Sequence, residues 1–105
     1  MDDIKQIFEA AINLYKGNKL NLEDRDFGYL LKFKMNDGWR AELDCRIVKE
    51  GQKTLSATKP VKVTVKSYQD LEDIGYTIQG VDNFTIHDID DMIGKGKITN
   101  IISQS

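Results

Sequence analysis

The chain is poor in the residues that most often carry covalent or metal chemistry. Its 105 residues include one cysteine (Cys45), one histidine (His87), one proline (Pro60) and one tryptophan (Trp39). A single cysteine excludes an internal disulfide and any zinc site built from several thiolates. A single histidine leaves one candidate for general-base or nucleophile-activating work. Long apolar runs are also missing: nothing approaches the roughly 18 apolar residues of a membrane span. Met1-Asp2-Asp3-Ile4 places acids where a signal peptide carries bases. These absences predict a cytoplasmic protein with no membrane partner. At this length the expectation is one domain over 1–105, able to bury about two thirds of its unfolded surface.

What the chain does have is charge, sorted by segment. The formal net charge of −2 hides the sorting. Between Ser67 and Gly94 lie seven acids, Asp70, Glu72, Asp73, Asp82, Asp88, Asp90 and Asp91, with no lysine or arginine among them. Between Lys32 and Lys66 lie nine bases against the four acids Asp37, Glu42, Asp44 and Glu50. Such segregation speaks to partners and association more than to fold. Lysines outnumber arginines 12 to 3 and isoleucine is abundant, which suggests an AT-rich coding sequence.

Hydrophobic spacing supplies the expected elements. Ile4, Ile7, Phe8, Ala11, Leu14 and Tyr15 recur at three and four residues, which predicts a first helix capped by Asp2 or Asp3 and ended by Gly17. Asn18 to Asp26 reads as a loop with a short strand at Leu20 to Leu22. Phe27 to Met35 and Trp39 to Val48 both alternate strictly, the mark of half-buried strands. A three-residue loop, Asn36-Asp37-Gly38, pairs Met35 with Trp39, Phe33 with Ala41, Leu31 with Leu43 and Tyr29 with Cys45, all on one face; a two-residue loop would mix the faces. Glu50 to Lys59 is polar and reads as a long loop or weak edge strand. Val61, Val63 and Val65 alternate through a third strand. Ser67 caps a short helix to Ile74, and Tyr76 to Val81 forms a fourth strand. Thr85 with Asp88 three residues later opens a helix with Ile86, Ile89 and Ile93 inward and Gly94 at its end. Ile98 to Ile102 is a last strand or extended tail. The fold class that follows is α+β: an antiparallel sheet of four to five strands with two main helices packed on one face.

Chemistry-bearing constellations are sparse. His87, in the first turn of the expected helix, is a surface residue with Asp91 four positions on. Cys45 sits on the apolar face of its strand and reads as core. Asp88-Ile89-Asp90-Asp91 holds hard-cation ligands but lacks the glycine and glutamate of a helix-loop-helix calcium loop, and on a helix Asp88 and Asp90 point about 200° apart. Gly94-Lys95-Gly96-Lys97 lacks the glycine spacing and following Ser or Thr of a phosphate-cradling loop. No metal, cofactor or catalytic residue is therefore expected.

Surfaces remain. The acids Asp70, Glu72, Asp73, Asp82, Asp88, Asp90 and Asp91 form an expected partner-binding face for a basic protein. One concrete version is a phage or mobile-element inhibitor whose carboxylates mimic a nucleic-acid backbone in the groove of a defence nuclease. An acidic chaperone or adaptor would use the same face. From another class, Lys32, Lys34, Arg40, Arg46, Lys62 and Lys66 would form a nucleic-acid-binding sheet face, its alternative reading being a solvated face with cross-strand pairs such as Lys32 with Glu42. A homodimer through an open edge at Val61 to Lys66 is compatible with the same pattern.

Overall fold

A computed structural model describes residues 4–22, 28–34, 40–69 and 83–104, with the backbone alone at 34, 40, 41, 103 and 104. The described residues form no helix. They fold as eight strands: β1 (Gln6–Leu14), β2 (Leu20–Asn21), β3 (Tyr29–Lys34), β4 (Arg40–Val48), β5 (Thr54–Leu55), β6 (Val61–Ser67), β7 (Asn83–Asp88) and β8 (Asp91–Gln104). Six of them close into an antiparallel barrel in the order β1-β6-β4-β3-β7-β8, with β8 returning to β1. β3, β4 and β6 are consecutive neighbours and β7 returns to lie beside β3, a Greek key.

The expected α+β fold with two helices is thus corrected to an all-β barrel. The first helix is β1. Its inward residues are Gln6, Phe8, Ala10, Ile12 and Leu14, all buried, with Ile7, Glu9, Ala11 and Asn13 between them. The period of two is masked because Gln6 is polar on the inside while Ile7 and Ala11 are apolar on the outside. A strand lying between two others gains ladder bonds on both edges, and this tertiary context outweighs the helix propensity of the Glu9-Ala10-Ala11 run. The expected Thr85 helix is the β7–β8 hairpin. Ile86 and Ile93 are buried as expected, but Ile89 is 77% exposed in the connecting turn, so the spacing that suggested a helical stripe joins residues of two strands and a loop.

The β3–β4 hairpin has the expected register: Tyr29 faces Cys45, Leu31 faces Leu43 and Phe33 faces Ala41. The third strand is β6, but it is no edge: β1 covers one side and β4 the other, which removes the route to a homodimer through Val61 to Lys66. Ser67 ends β6 as a buried inward residue, its hydroxyl accepting from the Gln69 amide at 3.0 Å, rather than starting a helix. The remainder of that expected helix, the strand at Tyr76 to Val81, and the loop with Met35 and Trp39 lie outside the described residues.

Two glycines on β8 shape the interior. Gly94 and Gly96 stand opposite the inward pairs Leu14–Ile86 and Ile12–Phe84. A Cβ on Gly96 would approach Ile12 Cγ2 to 2.6 Å and the Phe84 ring to 2.8 Å. In a barrel this small, large side chains on β1 and β7 fit because β8 contributes none at those levels. Lys95 and Lys97 alternate with the glycines and point outward, so Gly94-Lys95-Gly96-Lys97 is barrel strand and not a loop. Phe33 and Phe84 meet at 5.3 Å between ring centroids. The short β2–β5 ribbon lies against the end of the barrel where β1 finishes: the Leu14 amide donates to the Ala57 carbonyl, and the Tyr29 hydroxyl accepts from the Asn21 amide. Its Leu20, Leu22 and Leu55 join the same buried cluster as the barrel interior.

Candidate functional site

At the tip of the β7–β8 hairpin, Asp88 stands opposite Asp91, and Ile89 and Asp90 form the two-residue connection. Ile89 has a φ of 58°, while Asp90 does not share the positive region. A positive φ at the first central position alone is the pattern that glycine dominates, because a Cβ there is crowded by the neighbouring carbonyl. A β-branched residue is the least suited to it. Like charges directly opposite one another at the hairpin end add a second cost. Ile89 and Met92, 77% and 48% exposed, place two large apolar side chains in water beside these acids. Local preferences are therefore broken three times within five residues.

Asp88, Asp90 and Asp91 of the expected acidic face lie at this hairpin tip, on a turn and not on a helix. Asp70, Glu72, Asp73 and Asp82, the other four members of the expected acidic face, lie outside the described residues. Sequence reasoning missed Ile89 and Met92 as part of the tip. The signal that could have found them is the alternation of Phe84 and Ile86 with Thr85 and His87, which reads as strand as easily as helix.

The expected basic sheet face is divided by barrel closure. Lys32 on β3 faces Glu42 on β4 and pairs with it at 3.7 Å, the cross-strand pair anticipated from the sequence. Lys34 and Arg40 are partners at the far end of the same hairpin. Arg46, Lys62 and Lys66 lie on the other side of Glu42 and Asp44, toward β1. They are joined there by Lys95 and Lys97 of β8. Lys62 pairs with Glu9 on β1 at 2.7 Å, and Asn100 donates to the same carboxylate at 3.4 Å. These contacts, the lysine first, hold the Glu9 carboxyl below its ordinary range.

His87 is not on the surface: it is 7% exposed on β7, and its Nε2 lies 2.8 Å from Thr85 Oγ1. A β-bulge lies opposite it on the neighbouring strand. Ile86 pairs with Gly94 and His87 with Met92, so Ile93 is one residue too many on β8 and re-aims the strand locally. Cys45 is buried as expected, its thiol donating to the Tyr29 carbonyl at 3.5 Å; burial and the neighbouring Asp44 push its pKa far up, which leaves an inert thiol. Among the described residues no three His, Cys, Asp or Glu side chains converge on a point where a metal could sit. The helical argument against paired Asp88 and Asp90 falls with the helix itself.

No described helix is long and apolar enough to cross a membrane. The barrel presents Glu9, Lys62, Lys95 and Lys97 outward around an apolar interior, the inverse of the lipid-facing apolar band of an outer-membrane barrel. These features define a small Greek-key barrel with a polar exterior and an acidic, partly apolar hairpin tip. Compared with known proteins, the chain matches no family model and no curated sequence.

Proposed function

We propose that the protein is a non-catalytic binding module whose β7–β8 tip docks on a basic protein surface. The supporting observation is Ile89: a β-branched residue held at positive φ and exposed to water costs the free protein stability and contributes nothing visible to its core. Local strain of this kind is characteristic of places where a chain makes contact with something else. In the bound state Ile89 and Met92 enter an apolar recess, and Asp88, Asp90 and Asp91 answer lysines or arginines around it. An apolar centre within a polar rim is the usual anatomy of a protein interface. The acids steer association and select a basic partner.

A nucleic-acid-handling enzyme is the concrete partner class, because its groove already accommodates negative charge. The test compares the wild-type protein with the D88K/D90K/D91K and Ile89→Ala variants, each immobilised and offered a panel of purified basic nucleases and control proteins. A partner is expected to bind wild type, to weaken with salt, to be lost on charge reversal and to weaken about tenfold or more with Ile89→Ala. Binding and inhibition of the partner enzyme would distinguish an inhibitor from a chaperone or adaptor. A partner that binds all three proteins equally refutes the assignment of the tip.

A further inference from the structure

A second surface lies on the barrel wall, and it is built from residues that the tip does not use. On the outward face of β4, β6, β1 and β8, register places Arg46 beside Lys66, and Lys62 and Lys97 on either side of Ala11. Lys95 lies two residues before Lys97 on the same strand. Lys49, just beyond β4, donates to the Lys62 carbonyl at 3.0 Å and so sits against this group. Against these six bases the four strands present Glu9, bound to Lys62, Asp44 with Glu42 at the β3 margin, and Asp91 at the tip end of β8. Lys49, Lys66, Lys95 and Lys97 form no ion pair with any described residue.

We propose that this face binds the phosphate backbone of nucleic acid. Geometry and composition both point to a backbone ligand. Lys66 and Lys62 are four residues apart on one strand, about 14 Å; Lys62 and Lys97 are two strand spacings apart, about 10 Å; Lys97 and Lys95 are about 7 Å apart. The bases thus run as an oblique stripe across most of the barrel wall, with the short Ala11 forming a low floor between Lys62 and Lys97. From backbone positions spread over this distance, long lysine side chains reach several phosphates along a duplex. The four strands contain one aromatic residue, Phe8, and it is buried. No strand of the wall exposes an aromatic ring, and the Tyr68 ring just beyond β6 is taken up by Arg46, so the recognition is of backbone charge without sequence preference. Arg46 lies 5.7 Å over the Tyr68 ring, which orients its guanidinium along the same wall.

The test is fluorescence anisotropy with a labelled 20-base-pair DNA duplex, on the intact chain. Four lysines neutralising about four phosphates give a log–log salt slope of about −3.6, so the affinity falls about 150-fold between about 50 and 200 mM monovalent salt. Lys97→Gln should reduce the slope by about 0.9 while leaving thermal unfolding unchanged, and K66E/K95E/K97E should abolish binding at low salt. Lys32→Glu, on the other side of Glu42, should change neither. No binding at about 50 mM salt overturns the proposal. So does an unaltered slope in Lys97→Gln, or competition by polyglutamate as effective as that by unlabelled duplex, which would assign the wall to an acidic protein instead. Because none of these variants touches residues 88–92, failure here leaves the tip assignment to be decided by its own experiment.

Discussion

Replacing Ile89 by glycine should make the protein more stable, against the usual expectation for removing a large apolar side chain. Ile89 is 77% exposed, so little buried area is lost. What is gained is relief of a left-handed conformation that costs an L-residue about 1–2 kcal/mol and a β-branched one the upper part of that range. The extra freedom of glycine in the unfolded chain takes back about 0.5–1 kcal/mol. A net gain of about 1 kcal/mol corresponds to a rise in Tm of about 4–5 °C for a chain of this size, from an unfolding entropy of about 2.1 cal/mol/K per residue. Ile89→Ala is the essential companion. It removes the β-branch but keeps the Cβ, so it retains most of the strain and should raise Tm clearly less than glycine does. Thermal and urea unfolding of the three proteins read the difference directly. If glycine and alanine shift Tm equally, or if glycine lowers it, the turn is not strained by its Cβ and the reasoning fails. On the proposed function the same Ile89→Gly variant loses partner affinity while gaining stability, the opposite signs that mark a residue kept for contact.

Two further expectations concern the barrel itself. Gly96→Ala should destabilise by about 1–3 kcal/mol, because its Cβ would collide with Ile12 and Phe84 inside a closed ring that cannot widen locally; an unchanged urea midpoint would show that the interior has slack. The Glu9 carboxyl is held below the ordinary 4.5 of a glutamate, so the folded state favours its ionised form, and its contribution is present above about pH 4.5 and disappears as the pH falls through the lowered folded value. The Tm difference between wild type and Glu9→Gln should therefore shrink from about pH 7 to about pH 3; a difference that stays constant or grows in acid refutes the Lys62–Glu9 coupling.

The sequence was most legible where alternation and turn chemistry agreed. In β3 and β4 every second residue from Tyr29 to Phe33 and from Leu43 to Ile47 is apolar, and the loop length alone selected the observed register. Val61 to Val65 was equally plain. Legibility failed at β1 and at β7–β8 for one reason with two expressions. The outside of a barrel strand tolerates short apolar residues such as Ala11 and half-buried ones such as Ile7, and these complete a false helical stripe with the true core residues. At β7–β8, the turn carries isoleucine where glycine or asparagine would have announced a hairpin, and a bulge at Ile93 interrupts the period of two. The same departure from turn chemistry that hid the hairpin is what now distinguishes its tip. Of the candidate surfaces, the acids of the tip were visible as a run, whereas only Arg46, Lys62 and Lys66 of the basic wall were, because Lys95 and Lys97 join them only through closure between β8 and β1.

That closure has a kinetic meaning. The seam joins Gln6 to Gln104 and Leu14 to Gly94, residues separated by most of the chain, and no local hairpin can substitute for it. Contacts of such long separation repay their loop entropy only late in folding, so the ring should assemble on the millisecond-to-second scale of high-contact-order β proteins rather than in microseconds. Until this seam closes, β1 and β8 each hold an open row of amides and carbonyls, the template on which other chains pair. For a protein whose finished barrel conceals its strand edges along this seam, the interval before the last strand docks is the period of greatest exposure to aggregation.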